Sequence, residues 1–96
     1  MQIFFVSLRT SKITGPGEII ELSEEGNGQS FLVFESENPL EFKEWEGYAL
    51  VVPAQGIVLG AGHPKKQQSG QYTCRFALTP QEIPEGDQKL FKVVKN

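Results

Sequence analysis

The sequence predicts an all-β protein: a small antiparallel barrel of five to seven strands, OB-like with an SH3-like alternative, and one short helix near residues 38–46. Three observations predict it. First, Gly47-Tyr48-Ala49-Leu50-Val51-Val52-Pro53 is an uncharged apolar run closed at both ends by turn residues. A run of that length with β-branched side chains reads as a strand buried on both faces. Second, further short runs rich in Phe, Val, Ile and Leu recur about every ten residues, separated by Gly, Pro and Asn, the rhythm of a barrel or small sandwich. Third, the only helix signal falls between the third and fourth of these runs, where the OB-type barrel carries its helix.

In chain order, residues 2–8 form the first strand, through Ile3, Phe4, Phe5 and Val6. The basic, hydroxylated segment Arg9-Thr10-Ser11-Lys12 leads into a turn, and Gly15-Pro16-Gly17 is read as a break. Residues 18–22 make the second strand. Residues 23–28, with two Gly and one Asn, make a hairpin turn, and residues 29–35 return as the third strand. Asn38, Pro39 and Glu41 then give a helix start. Asn accepts from free amides, Pro tolerates the first helical position, and Glu suits the positive end. Gly47 stops that helix. Residues 57–59 are read as the next strand and residues 60–70 as a long hairpin loop holding Lys65 and Lys66. Residues 71–78 alternate clearly, with Tyr72, Cys74, Phe76 and Leu78 on one face and Thr73, Arg75 and Ala77 on the other. After a proline-punctuated connection, residues 90–94 read as a last strand. The 96 residues fit one domain, 1–96, large enough for a single core.

Composition excludes several classes. The chain has one cysteine, Cys74, so it cannot form an internal disulfide, and a reducing compartment is the simple reading. The apolar N-terminus has no basic flank or small-residue cleavage site, and no stretch approaches the ~20 apolar residues of a membrane span. The expectation is a cytoplasmic protein with no membrane partner. Net charge is −3 but unevenly spread. Residues 18–46 hold nine acids against the single base Lys43, a net −8; the remainder holds eight bases and three acids, a net +5. A dipolar chain of this kind steers a charged partner to one face, although charges also simply solvate surfaces.

Catalysis finds little support. The only histidine, His63, sits among glycines, and no G-x-S-x-G turn supplies a nucleophile for a triad. One His, one Cys and scattered carboxylates lack the close spacing of a metal centre, so no metal and no cofactor are expected. Gly60-Ala61-Gly62-His63-Pro64-Lys65-Lys66 lacks the spacing of a phosphate-binding loop. Glu24/Glu25 and Glu44/Glu46 read as solvated surface.

A binding module remains. Single strands of nucleic acid are held by aromatic platforms beside a basic groove. Arg9, Lys12, Lys65, Lys66 and Arg75 are the candidate phosphate contacts, and Tyr72 is the candidate platform. The pattern Gly47-Tyr48…Val58-Leu59-Gly60…Ser69-Gly70…Arg75-Phe76-Ala77-Leu78-Thr79-Pro80 is similar to the C-terminal half of filamentous-phage single-strand-binding proteins. That likeness covers under half of the chain, rests on common residue types and assigns no family. The alternative is a protein-binding or inhibitory module in which Phe42 and Trp45 anchor a partner from an acidic helix. Edge strands of such domains commonly pair, which allows a homodimer.

Overall fold

The computed structural model describes residues 1–83, and the strand expected at residues 90–94 lies outside them. Six strands, β1 (Gln2–Ser7), β2 (Ile13–Gly26), β3 (Gln29–Glu35), β4 (Tyr48–Val52), β5 (Ile57–Lys66) and β6 (Tyr72–Glu82), close into a barrel in the order β1-β2-β3-β6-β5-β4. Every pairing is antiparallel. The fold is the expected small OB-like barrel.

The interior is built from alternate residues of the strands. Ile3 and Phe5, Leu32 and Phe34, Leu50 and Val52, and Tyr72, Cys74 and Phe76 are all buried and form one cluster with Tyr48 and Leu59. Phe34 stacks on Tyr72 with ring centroids 5.2 Å apart. The apolar run at residues 48–52 is indeed buried almost throughout, with Ala49 half-buried.

Four local expectations change. Gly15-Pro16-Gly17 does not break the chain: β2 runs through it, past a cis Gly15–Pro16 peptide. The register shift between Ile3 and Phe5 marks a bulge there, which accommodates a residue with no N–H. Gly17 is needed because a Cβ would come within 2.8 Å of the Phe34 ring. The β2–β3 turn is tighter than expected. Asn27 and Gly28, both with positive φ, form a two-residue hairpin loop after the Gly26–Gln29 pair.

The long loop at residues 60–70 is mostly strand. β5 continues to Lys66, paired along β6 from Gly60–Leu78 to Lys66–Tyr72. Its glycines are close-approach positions: a Cβ on Gly60 would run into the Ala77 carbonyl, and one on Gly62 into that of Arg75. Only residues 67–71 turn, held by Gln67 N–H donating to the Gln71 carbonyl at 2.8 Å.

The helix expected near residues 38–46 is not formed. The only helical element among the described residues is a 3₁₀ turn at Pro53–Gln55. Residues 36–47 instead cross the barrel mouth from β3 to β4, which lie on opposite sides of the ring. Tertiary partners take the amides that a helix would pair internally. Leu40 N–H donates to the Tyr72 hydroxyl at 2.9 Å, and Lys43 N–H donates to the Tyr48 hydroxyl at 3.1 Å. Phe42 drops into the mouth against Phe5, Phe34, Tyr48 and Tyr72, with centroids 5.0 to 6.1 Å away. One side chain thus fills the place that the helix was expected to fill.

Closure removes a continuous open edge. The β1 ladder ends at the Gln2–Glu18 pair, so the outer part of β2 projects beyond it. Glu21, Glu24 and Glu25 stand on that projection beside the exposed Ile20 and Leu22, and charges of that kind oppose edge pairing between copies.

Candidate nucleic-acid interface

Three connections meet at one end of the barrel: residues 8–12, the crossover 36–47 and residues 67–71. The first is a tight turn held by Ser7. Its Oγ accepts from the Arg9 and Thr10 amides at 3.2 and 3.1 Å, and its carbonyl accepts from Ser11 N–H. Leu8 N–H donates to the Gly47 carbonyl at 3.0 Å, which ties this turn to the end of the crossover.

Between these connections lies a groove of about 750 Å³. Lys12 enters it from the first turn, Lys43 from the crossover, and Lys65 and Lys66 from the end of β5. Ser7, Thr10, Thr14 and Tyr48 add hydroxyls, and Glu41, Glu44 and Glu46 also line it. Among the described residues the ion pairs are Met1–Glu18, Arg9–Glu46 and Arg75–Glu25, so none of the four lysines is paired. A separate groove across the crossover carries Glu18, Glu35 and Glu37 and, among the described residues, no cation. The two signs of charge are therefore sorted in part to the two sides of the crossover.

Trp45, next to this groove in the chain, is 61% exposed. The Arg9 guanidinium carbon lies over its ring, 4.6 Å from the centroid, and Lys43 Nζ is 5.6 Å away. Glu46 points inward instead, 5% exposed. Its Oε2 accepts from the Tyr48 hydroxyl at 3.0 Å, while its buried Oε1 has no hydrogen-bond partner among the described residues. The nearest cation, Arg9 Nη1, is 4.0 Å from Oε1, beyond hydrogen-bond reach. Burial, above all, and the Glu46 carboxylate hold the Tyr48 hydroxyl above its ordinary range. His63 Nδ1 lies 2.8 Å from the Glu46 carbonyl oxygen and helps fix the end of the crossover.

The predicted residues divide. Lys12, Lys65 and Lys66 share the groove, and Arg9 stands beside it over Trp45. Arg75 is elsewhere, on the outer face of β6, with Nε donating to Glu25 at 2.9 Å and its guanidinium over Phe31. Tyr72 is not an exposed platform: it is 2% exposed, stacked on Phe34, and its hydroxyl is engaged by Leu40. Phe42, expected as a partner anchor, is the mouth filler described above. Sequence reasoning missed Lys43 as a groove cation and Trp45 as the aromatic beside it. Their placement depends on a turn at residues 43–46, closed by Glu46 N–H donating to the Lys43 carbonyl at 3.0 Å, which the helix reading hides. Cys74 is buried, and that burial pushes its thiol up to about 12 from 9.0.

No protein-family model, curated protein or solved structure matches this chain.

Proposed function

We propose that this protein is a non-catalytic module that binds single-stranded nucleic acid at the loop end of its barrel. Lys12, Lys43, Lys65 and Lys66 contact phosphates and Trp45 stacks a base. One observation carries the reading: four lysines without carboxylate partners among the described residues line a single groove beside an exposed tryptophan. Cations tracking a backbone and an aromatic face open to bases are the two ingredients of sequence-tolerant single-strand binding.

The test is fluorescence anisotropy of a labelled single-stranded oligonucleotide at several salt concentrations. Four phosphate contacts on a single strand give a log–log salt slope of about −2.8, so affinity falls roughly fifty-fold for a four-fold rise in salt. No binding at low salt refutes the reading. Trp45 also supports a second reading, a protein-binding surface, since an exposed aromatic amid charge is a common interface anchor. That reading now rests on Trp45 alone, without Phe42. Equal capture of every partner by wild type and Trp45→Ala refutes it.

A further inference from the structure

We infer that Trp45 and Glu46 together form a base-reading site, selective for bases that carry an exocyclic amine, and that the Arg9 side chain holds its place when the site is empty. This rests on the nucleic-acid reading above and adds which bases the surface prefers. It starts from an anomaly. A carboxylate oxygen that is buried and lacks a hydrogen-bond partner is costly and rare in a folded protein. Glu46 Oε1 is such an atom, on a side chain that lines the lysine groove. It is an acceptor waiting for a donor.

Arg9 indicates the kind of donor. Its guanidinium is flat and edged with N–H groups. It lies over the Trp45 ring and points Nη1 toward Glu46 Oε1, yet stops 4.0 Å short. A nucleobase has the same features: a flat face to stack and, in cytosine, adenine and guanine, an amino group at its edge. The Arg9 side chain is 64% exposed and no hydrogen bond holds its guanidinium among the described residues, so it can swing aside. A base on Trp45 then presents its amine to Oε1, much as carboxylates accept from cytosine N4 in duplex recognition. Thymine offers a carbonyl at the corresponding edge, and two acceptors face each other.

The hydroxyl of Tyr48 fixes which oxygen stays open. It accepts from Lys43 N–H, so its one proton is committed to Glu46 Oε2. In Glu46→Gln the amide oxygen must take that proton, which places the amide NH₂ at the open position. The acceptor becomes a donor, and the preference should turn toward the carbonyl of thymine.

The experiment measures binding of short oligo(dC) and oligo(dT) to the full chain, by anisotropy and by quenching of Trp45, the only tryptophan. Wild type should bind oligo(dC) about ten-fold more tightly, the worth of one hydrogen bond to a charged acceptor. Glu46→Gln should lose or invert that ratio. Arg9→Ala, which keeps Glu46 and Tyr48 intact and removes the side chain that a base must displace, should keep or widen the ratio. Equal affinities for wild type, or an unchanged ratio in Glu46→Gln, overturn the base-reading inference while leaving single-strand binding standing. Absence of binding by wild type at low salt overturns both. The wild-type comparison needs no variant, so misfolding of Glu46→Gln cannot shield the inference.

Discussion

Phe42→Ala and Trp45→Ala, three residues apart, should behave in opposite ways. Phe42 is half-buried, with its ring edge-on to Phe5 at 5.0 Å and to Tyr48 at 5.3 Å. Partial burial of a phenyl ring is worth about 2 kcal/mol, and edge-to-face pairs add about 0.5 kcal/mol each. Truncation should therefore cost about 3 kcal/mol. With a urea m-value of about 1 kcal/mol per M, the unfolding midpoint should fall by about 3 M with m unchanged. Trp45 is 61% exposed, with the Arg9 and Lys43 cations over its ring. Its loss should cost less than about 1 kcal/mol, the worth of an exposed cation–aromatic contact. Oligonucleotide affinity should respond the other way, falling for Trp45→Ala by about 1–3 kcal/mol per stacked base. The assay pairs urea unfolding by circular dichroism with anisotropy on the same samples. Equal destabilisation by the two changes, or a Phe42→Ala cost under about 1 kcal/mol, would refute the assignment of Phe42 to the barrel mouth.

Three further outcomes are expected. The Cys74 thiol is pushed from 9.0 to about 12 by burial, so its contribution to stability is intact below pH 9 and is lost as pH rises from 9 toward 12. Between pH 8 and 11 wild type should lose on the order of 2 kcal/mol more than Cys74→Ala in urea titrations, and parallel pH profiles would contradict this. Gly60→Ala drives a Cβ into the Ala77 carbonyl, where neither backbone can yield, and should cost about 3 kcal/mol or prevent folding; a melting temperature near wild type would count against the β5–β6 register. Lys65→Ala should make the salt slope shallower by about 0.7, whereas Arg75→Ala, already engaged by Glu25, should change it much less. Equal changes would place Arg75 in the binding surface after all.

The parts of the fold legible in the sequence are those where one residue type has one common use. The uncharged run at residues 48–52 could only be an interior strand, and the alternation from Tyr72 to Leu78 marked a single face. It did not say which face. Tyr72 was therefore available as an outward platform until its stacking on Phe34 placed it inside. Gly60 and Gly62 misled for a related reason. Glycine serves both turns and close strand approaches, and only the β6 carbonyls opposite them decide between the two. Gly15-Pro16-Gly17 looked like a break because proline lacks a donor, but a bulge gives that residue a place within a strand. Of the site, the basic residues of the first turn and of β5 were legible from charge alone. Lys43 was hidden in an acidic run, and Glu46 had no signal at all, because an unpaired buried oxygen exists only in three dimensions.

The missing helix explains how one short segment serves both stability and the surface. Asn38, Pro39 and Glu41 satisfy local helix rules, yet a helix would put Phe42, Trp45 and Glu46 on one face at three- and four-residue spacing. Burying Phe42 would then bury Trp45 with it. The crossover instead carries a single turn at residues 43–46, where Glu46 N–H donates to the Lys43 carbonyl. Leu40, Phe42, Glu46 and Tyr48 turn toward the barrel, while Lys43 and Trp45 turn out. The hydroxyls of Tyr72 and Tyr48 take the amides of Leu40 and Lys43, so the backbone gives up its internal hydrogen bonds without leaving those two donors unpaired. Local propensity is a preference of under 1 kcal/mol per residue, whereas seating one phenyl ring in the mouth is worth several times that. The same residues that close the barrel therefore hold out the lysine and tryptophan proposed to meet the ligand.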